Sequence, residues 1–413
     1  MLVEFNVKNF LSFRDQVTFS METGERLRKY KDTNTRTVAG RDLLKNAVIF
    51  GPNGSGKSNL LNAIDMMRRI ILFPTTDITQ TLFYQPFALD DYSKNESTLF
   101  EMKFIVEDKL ISYQFEYTLE EIVSEKLSKI NKNGSEKLYF SRTDNEVSAS
   151  NKMKTIFKKT RKNKLLLFDG QDNNDELCIK VYEWFANNLV FFKSMRNERF
   201  HVLKNEKIKE TFLKFMKLAD FNIVDIEVVE SAQTYSEDLM KALSLISEEP
   251  TKKTEIYTLY KKYDVNGKVV GFDRIAYSME SNGTKKMMAL ALVMILNHNK
   301  NITLLVDEFD DSFHLSLSKA ILQLINSIQN SNQFIFTSHN TNLLDCNLRV
   351  DQIYLAEKSF DGKSDIYSLF DFSGLGSSRV DITFAKRYLE GQFGAMPDID
   401  FDSMFDLLGE IDG

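Results

Sequence analysis

Asn46-Ala-Val-Ile-Phe-Gly-Pro-Asn-Gly-Ser-Gly-Lys-Ser-Asn59 is the stretch that decides the fold of this chain of 413 residues. Its apolar run, Ala47 to Phe50, predicts a buried parallel strand, and the octet Gly51 to Ser58 fits the pattern G-x-x-x-x-G-K-[ST]. Residues Asn59 to Ile71 continue with apolar side chains at helical spacing. Strand, glycine loop and helix therefore follow one another in the order that a phosphate-binding loop requires.

The residue types in this loop match the needs of a di- or triphosphate, whose charges must be held without bulky side chains in the way. Glycines let the backbone N–H groups point inward, and the helix that follows adds the positive end of its dipole. Lys57 is placed to reach the β- and γ-phosphates, and the Ser58 hydroxyl can bind Mg²⁺. The predicted nucleotide-binding residues are Gly51, Asn53, Gly54, Ser55, Gly56, Lys57, Ser58 and Asn59. A chance glycine turn is the alternative.

Length and composition indicate a folded intracellular protein. The 413 residues correspond to about two to three domains, and 33 Phe against 5 Pro favour a large packed core. Cys178 and Cys346 match no metal or redox spacing, which favours a reducing compartment. No apolar run reaches the ~20 residues of a membrane helix, and the N-terminal sequence alternates like a strand instead of a signal peptide. We expect a cytoplasmic protein without a membrane partner.

The net charge of −6 is unevenly distributed. The C-terminal stretch lacks basic residues and contains the acids Asp398, Asp400, Asp402, Asp406, Glu410 and Asp412. The rest of the chain is therefore balanced and can carry basic patches. One candidate patch consists of Lys152, Lys154, Lys158, Lys159, Arg161, Lys162 and Lys164, followed by Lys193, Arg196, Arg199 and Lys204. It could neutralise nucleic-acid phosphates, but a solvated helix face explains it equally well.

Periodicity predicts an α/β fold. Residues Leu2 to Phe19 alternate as two strands, which together with the Ala47 strand would begin one mixed sheet. Residues 99–106 and 111–117 predict a hairpin, and residues 21–42 predict an exposed connection. Helical periodicity follows from 151 to 221. Strands that alternate with helices after residue 283 are typical of a parallel sheet with right-handed crossovers.

These patterns predict a discontinuous core. The proposed boundaries are residues 1–80 and 270–395 for the nucleotide-binding core, 81–150 for an antiparallel β lobe, 151–222 for a helical insert, 223–269 for return strands and 396–413 for an acidic tail.

Two later strands end in polar residues that suit nucleotide chemistry. The apolar run from Thr303 ends in Asp307 and Glu308, and the run from Phe334 ends near His339. In a parallel sheet ligands bind at the carboxyl ends of strands, so both endings reach the phosphate loop. Asp307 would hold Mg²⁺ through water, and Glu308 would polarise the attacking water. His339 could donate to the γ-phosphate; a solvated acidic turn and a packed histidine are the alternatives.

A third segment, Met279 to Lys286, precedes a strongly apolar helix. Ser281 and Gly283 at a helix start can bind a phosphate through a hydroxyl and a backbone N–H. An ordinary helix cap explains the same residues.

Taken in order, the motifs resemble those of ABC-type ATPases: Gly51–Ser58 (Walker A), Ser281-Asn-Gly-Thr-Lys285 (signature), Leu304–Glu308 (Walker B), Asp310 (D-loop) and His339 (switch histidine). The opening Phe5-Asn-Val-Lys-Asn-Phe-Leu-Ser-Phe-Arg14 is similar to the Rad50/SMC-related branch. Within that branch, Asp307–His314 and Lys386–Ala395 resemble AAA-type ATP-binding proteins of bacterial abortive infection, the AbiL/RloA kind.

The resemblance implies an ABC/SMC-like P-loop NTPase head that binds ATP and Mg²⁺ and hydrolyses ATP to ADP and phosphate. In this class two subunits face head to tail, so that the signature of one closes over ATP held by the other. The signature residues are Ser281, Asn282, Gly283 and Thr284, and the D-loop residues are Asp310 and Asp311. Gln85 is the candidate for the glutamine that senses Mg²⁺. The chain departs from transporters, which have Ser-Gly-Gly in the signature and small residues in the D-loop.

Two function classes remain open from the sequence. One is an ATP-hydrolysing sensor or clamp of anti-phage defence, a homodimer or higher homo-oligomer that controls a separately encoded effector, for example a nuclease. The other is a DNA repair or maintenance ATPase that acts directly on nucleic acid through the Lys152–Lys164 region. A transporter ATPase is a weaker alternative, since the insert is unlike the helical lobe of transporters.

Overall fold

The computed structural model describes residues 1–143, 146–192, 197–232, 252–372, 383–397 and 399–411. These residues form two compact units. The first unit comprises Met1–Phe191, Asn299–Asp310 and Ser318–Gly413, and the second comprises Phe192–His298 and Asp311–Leu317. This division differs from the sequence-based boundaries. The antiparallel lobe and the helices before residue 192 share a unit with the phosphate loop, whereas residues 270–298 belong to the second unit.

The secondary-structure elements are numbered here along the chain. The strands are β1 (Leu2–Lys8), β2 (Val17–Ser20), β3 (Thr35–Val38), β4 (Arg41–Leu44), β5 (Asn46–Phe50), β6 (Thr98–Val106), β7 (Lys109–Tyr117), β8 (Ile122–Ile130), β9 (Glu136–Thr143), β10 (Val147–Ala149), β11 (Leu189–Phe192), β12 (Asp225–Ala232), β13 (Lys252–Tyr263), β14 (Val269–Ala276), β15 (Thr303–Val306), β16 (Gln333–Thr337), β17 (Ile353–Lys358) and β18 (Ser364–Ser368).

The α-helices, numbered in the same way, are α1 (Lys31–Asn34), α2 (Lys57–Leu72), α3 (Asn151–Phe157), α4 (Leu166–Asp172), α5 (Glu176–Asn187), α6 (Glu206–Leu218), α7 (Asn282–Leu296), α8 (Leu315–Ile325), α9 (Phe384–Leu389) and α10 (Phe401–Ile411). Across the described ranges, no helix has the length and apolar content to cross a membrane.

The sheet that carries the phosphate loop has the strand order β11-β15-β16-β5-β17-β18. Strands β15, β16, β5 and β17 run parallel, and β18 is antiparallel to β17. Every residue of β5 and of β16 is buried, as expected for parallel strands that are covered on both faces. The predicted α/β class is therefore confirmed, and so is the parallel pairing of the Ala47 strand with its later partners.

The second sheet is antiparallel, with the order β10-β9-β8-β7-β6-β1-β2. It contains the predicted hairpin, in which Val106 pairs with Lys109. The expectation that the first two strands share a sheet with the Ala47 strand was wrong, because β1 pairs with β2 and β6. Polar cross-strand partners favour this neighbour: Lys103 Nζ lies 2.7 Å from Glu4 Oε1, and Asn6 Nδ2 donates to Glu101.

Residues 21–42 are more structured than the predicted exposed connection. They contain α1 and β3 and reach into β4, which pairs with β3 in a hairpin. The hairpin ends in Leu43 and Leu44, which are both buried. The polar composition of this segment concealed the anchor because these leucines lie just beyond residue 42.

The seven-stranded and six-stranded sheets of the first unit enclose one apolar core with α2 and α5. Phe104 of β6 stacks on Trp184 of α5 with 4.2 Å between ring centroids. The buried Gln333 side chain ties β16 to the first strand, since its Oε1 accepts from the Leu2 N–H and its Nε2 donates to the Leu2 carbonyl. The carboxyl ends of β15 and β16 lie beside that of β5 because the three strands pair in parallel, and this pairing positions the residues that follow them.

The second unit contains the antiparallel sheet β12-β13-β14 together with α6 and α7. The return strands predicted between residues 223 and 269 lie in this separate sheet. Helix α7 begins after the cap residue Ser281, and its residues Met287–Val293 are buried throughout. The strongly apolar sequence of α7 is therefore explained by helix packing.

Candidate nucleotide site

The phosphate loop connects β5 to α2 in the conformation that its glycines allow. Gly54 and Gly56 have φ angles of 76° and 105°, a region that favours glycine. A Cβ on Gly56 would lie 2.5 Å from Ser364 Oγ, so the loop also approaches β18 too closely for a larger residue. Helix α2 begins at Lys57 without a side-chain cap, so its first backbone N–H groups face the loop. An anion is the natural partner for these groups.

Ser55 provides an independent indication that the loop fits a phosphate group. Its side chain is buried, and its Oγ has no hydrogen-bond partner among the residues that the structure describes. A buried hydroxyl without a partner is unfavourable by about 1–3 kcal/mol. A phosphate oxygen at this position would satisfy it.

Lys57 lies folded back into the loop. Its Nζ donates to the carbonyls of Gly51 and Pro52, at 2.8 Å in both cases, and lies 3.4 Å from Nδ1 of His339. Burial lowers the pKa of the ammonium to about 8, against the opposing effect of Asp307 and Glu308. The Lys57 ammonium is therefore bound by neutral carbonyls. The negative charges of a triphosphate would attract it more strongly than these carbonyls do.

Ser58 and Asp307 come together as the sequence predicts for a magnesium site. Ser58 Oγ donates to Asp307 Oδ1 at 3.0 Å, although the two residues are far apart in the chain. A hydroxyl and a carboxylate oxygen are ligands that Mg²⁺ accepts, directly or through water. The donor set at the end of β15 therefore fits this ion.

Thr337, which the sequence analysis missed, links the two acidic residues. Its buried hydroxyl donates to Asp307 Oδ1 and accepts the backbone N–H of Glu308 at 2.7 Å. Glu308 itself has a φ angle of 48°, an unusual value for a residue that is not glycine. The available signal was positional, because Thr337 ends β16 immediately before Ser338 and His339.

His339 lies beside the lysine of the loop, at the edge of the sheet where it was predicted. Burial, aided by the Lys57 ammonium, lowers the pKa of its imidazole below the usual range. The neutral ring can accept from Lys57 at Nδ1, which leaves the proton on Nε2. This tautomer has a hydrogen-bond donor available for a ligand.

The signature residues cap α7 in the second unit. Ser281 Oγ accepts the backbone N–H of Thr284 at 3.1 Å and contacts the Thr284 hydroxyl, whereas Asn282 is exposed. A Cβ on Gly283 would lie 2.6 Å from the Ser312 carbonyl, so glycine permits a close approach of the segment that follows the D-loop. Lys286 Nζ donates to the Asp311 carbonyl and supports the same contact. Asp310 belongs to the first unit.

Asn59, Asn53 and Gln85 are the remaining predicted site residues. Asn59 donates to Ser12 Oγ at 2.8 Å and thereby ties α2 to the turn after β1. The side chains of Asn53 and Gln85 are exposed. The Gln85 carbonyl accepts from the Leu11 N–H at 2.9 Å. Its role as a magnesium sensor remains a prediction.

A cavity of about 690 Å³ opens beside the phosphate loop, within the first unit. One wall comes from the loop and His339, and the other comes from the segment after α9, including Met396 and Pro397. The Tyr388 hydroxyl donates to the Ala395 carbonyl at 2.6 Å, which fixes this segment. This wall was not predicted from the sequence, in which residues 386–395 stand out only by their resemblance to a known family.

Ion pairs and hydrogen bonds within the chain occupy much of the candidate nucleic-acid patch. Lys152 and Lys162 lie 3.8 Å and 3.6 Å from carboxylates, Lys164 pairs with Asp169, and Arg161 donates to backbone carbonyls. Lys154, Lys158 and Lys159 are exposed. Lys193 and Arg196 lie outside the described residues; Arg199 is exposed, and Lys204 pairs with Glu230. The patch available to a nucleic acid is thus smaller than the sequence suggests.

The match to a known protein family covers most of the chain. A family model described as "AAA domain, putative AbiEii toxin, Type IV TA system" matches residues 47–345. Among solved structures, the SMC head domain from Thermotoga maritima is 16% identical over 89% of this chain and 98% of that chain, with a TM-score of 0.40. No curated protein gives a significant match.

Two SMC heads in complexes with ScpA are also similar. An SMC head bound to the C-terminal winged-helix domain of ScpA is 16% identical over 89% of this chain and 97% of that chain, with a TM-score of 0.42. An SMC head with an extended coiled coil, bound to the C-terminal domain of ScpA derived from Pyrococcus furiosus, is 14% identical over 89% and 96%, with a TM-score of 0.41.

Proposed function

The chain belongs to the AAA-domain family whose model it matches, and we propose that it is an ATPase that binds ATP with Mg²⁺ at its phosphate loop. The observation that carries the proposal is the convergence of Lys57, Ser58, Asp307 and His339 at one edge of the parallel sheet. These residues come from three different segments of the chain. They meet beside a loop in which the buried Ser55 hydroxyl lacks a hydrogen-bond partner among the described residues, and this supports a nucleoside triphosphate as the ligand.

Each residue of the site has a separate role in the proposed hydrolysis of ATP. Lys57 exchanges the loop carbonyls for the β- and γ-phosphates, and Nε2 of His339 donates to the γ-phosphate. Ser58 and Asp307 would hold Mg²⁺, which supplies charge neutralisation at the phosphate oxygens. Glu308 accepts a proton from water as the water oxygen bonds to the γ-phosphorus and the bond to ADP breaks.

We propose that two copies close head to tail around ATP. The amino end of α7 is accessible for this contact because Ser281 and Asn282 are exposed. The Ser281 hydroxyl and the backbone N–H groups at this helix end can bind the γ-phosphate of ATP held by a second copy. ATP binding then favours the closed dimer, and hydrolysis opens it.

The finer role that we propose is a sensor or clamp of anti-phage defence, of the AbiL/RloA kind, which controls a separately encoded effector. The match to a family whose description names a toxin supports this role. The segment from Lys386 to Ala395 supports it too, because its residues Tyr388 and Leu389 line the cavity beside the phosphate loop and so could transmit the state of the site. The effector, for example a nuclease, would respond to opening or closure.

The experiment compares the wild type with Lys57→Ala, Glu308→Gln and the control Glu210→Gln, expressed with the neighbouring genes and exposed to phage. Glu210 is an exposed residue of α6 and pairs only with Lys214 among the described residues, so Glu210→Gln should protect as the wild type does. We expect both site variants to lose ATPase activity and protection. Glu308→Gln should still retain ATP after gel filtration, and hydrolysis at the wild-type rate would remove Glu308 from the role of base.

A DNA repair or maintenance ATPase is the second candidate, favoured by the exposed Lys154, Lys158 and Lys159. Stimulation of the ATPase by DNA that declines steeply with salt would support it. Replacement of these three lysines by glutamine should then remove the stimulation. An ATPase rate that is the same with and without DNA would favour the defence role.

A further inference from the structure

Helix α10, at the end of the first unit, exposes an apolar stripe. Phe401, Met404, Phe405 and Leu407 are between 60% and 71% exposed. Their spacing places them along one side of the helix. A continuous apolar stripe of this kind on a protein surface usually marks an interaction site.

The charge of α10 restricts what can cover the stripe. Asp402 and Asp406 lie one turn apart beside it, and no Lys or Arg occurs after Arg387. Anionic lipid surfaces and nucleic acids repel such a helix. The complementary surface must therefore be apolar and carry basic side chains.

The hairpin β13–β14 of the second unit is a surface with these properties. Tyr263 pairs with Val269 and Lys261 pairs with Phe272, so all four side chains lie on the same face of the hairpin. The three apolar residues are 44% to 60% exposed, and Lys261 is exposed as well. An apolar surface of opposite charge is thus present on the same polypeptide.

We propose that α10 of one copy packs against the β13–β14 face of a second copy, reciprocally, in a two-fold symmetric dimer. Phe401, Phe405 and Met404 meet Phe272, Tyr263 and Val269, and Asp402 and Asp406 approach Lys261. Reciprocity gives two equal contacts, which brings the buried area toward that of a stable interface. The contact uses no residue of the phosphate loop, so we expect this dimer to form without nucleotide. It is therefore distinct from the ATP-dependent closure proposed above.

The first test is sedimentation of the full-length, nucleotide-free chain. We expect a dimer that persists in Lys57→Ala, a variant impaired in ATP binding. Phe405→Asp and Phe272→Asp should each weaken dimerisation at least tenfold, because each places a carboxylate in an apolar contact. Phe360→Asp is the matched control: Phe360 is fully exposed in the turn between β17 and β18, and the dimer should be unchanged.

The second test mixes Phe405→Asp with Phe272→Asp. Each variant alone lacks both productive contacts, whereas a mixed dimer retains the intact helix of one copy on the intact hairpin of the other. We expect mixed dimers that are weaker than the wild type and tighter than either variant alone. A monomeric wild type, a dimer insensitive to Phe405→Asp, or failure of the mixture to associate would overturn the proposal; a monomer would indicate that the stripe is covered by another protein or within its own chain.

Discussion

Thr337 shows how much of the site depends on a residue without an obvious motif. Its hydroxyl contacts the carboxylate that would hold Mg²⁺ and also the backbone of the residue proposed as the base. The φ angle of Glu308 is costly for a side chain of this kind, and the bond to Thr337 helps to maintain it. Thr337 is therefore a positioning residue.

We predict that Thr337→Val lowers kcat by about 10- to 100-fold, as is typical when a group that orients a metal ligand is removed. The KM for ATP should change much less, since the phosphate loop is intact. Thr337→Ser keeps the hydroxyl and should retain activity. Thr303→Val is the matched control, because it removes a buried hydroxyl from the adjacent strand at a distance from the carboxylates. An unaltered kcat in Thr337→Val would contradict the assignment.

Lys57 should couple ATP binding to proton uptake. Its pKa is lowered to about 8 in the protein without nucleotide, so its protonated fraction falls as pH rises through 8. The charges of a triphosphate raise that pKa, and binding above pH 8 must then take up a proton. Unfolding also takes up a proton at Lys57, because the unfolded chain binds more protons than the folded chain between pH 8 and 10.5. The Lys57 contribution to the free energy of unfolding therefore increases as pH rises across that range.

The measurement is calorimetric ATP binding at pH 8.5 in buffers of different ionisation enthalpy. We expect net proton uptake and a decrease in affinity relative to pH 7. The γ-phosphate of ATP is already ionised at this pH and does not supply the signal. Binding without proton exchange at pH 8.5 would show that Lys57 is charged before the nucleotide arrives.

The phosphate loop is the element whose conformation was most directly predictable. Its glycines, the strand before it and the helix after it are all local features, and the structure places them as expected. The Asp307–Glu308 and His339 segments were also predictable because each directly follows a short apolar strand. Thr337 and the Tyr388–Pro397 wall were not, since their role depends on contacts with residues distant in sequence.

The placement of β1 and β2 could not be read from the sequence for a related reason. Alternation identified both strands, but it does not say which sheet a strand joins. The choice depends on pairs such as Glu4 with Lys103, about a hundred positions apart. The same applies to α10, whose acidic sequence suggested only a tail and whose apolar side becomes evident once the residues are helical.

We predict that Gly56→Ala weakens ATP binding more than Gly54→Ala does. Both residues have positive φ, which costs an alanine about 1–2 kcal/mol. Only at Gly56 would the new Cβ also collide with Ser364, whereas at Gly54 it would meet no atom within 4 Å. Nucleotide affinity and Tm should be measured for both variants, and equal effects would mean that the close approach to β18 does not shape the loop.

On the scale of the whole molecule, the phosphate loop and the signature helix lie in different compact units. We propose that they form opposite sides of one composite site in a dimer. Each half alone is ordinary, a loop that fits a phosphate and a capped helix. In the proposed function, the two halves act together only when a second copy is present. ATP-dependent closure of the two copies is also the step that the defence role requires.

The most direct test is complementation between Lys57→Ala and Ser281→Arg, co-expressed with different tags and purified as mixed dimers. Each variant alone should be inactive, because every composite site lacks either its lysine or its signature. A mixed dimer contains one intact site, formed by the phosphate loop of the Ser281→Arg copy and the signature of the Lys57→Ala copy. We predict about half of the wild-type ATPase rate per mixed dimer, as symmetry dictates. A mixed dimer as inactive as its parents would contradict the account.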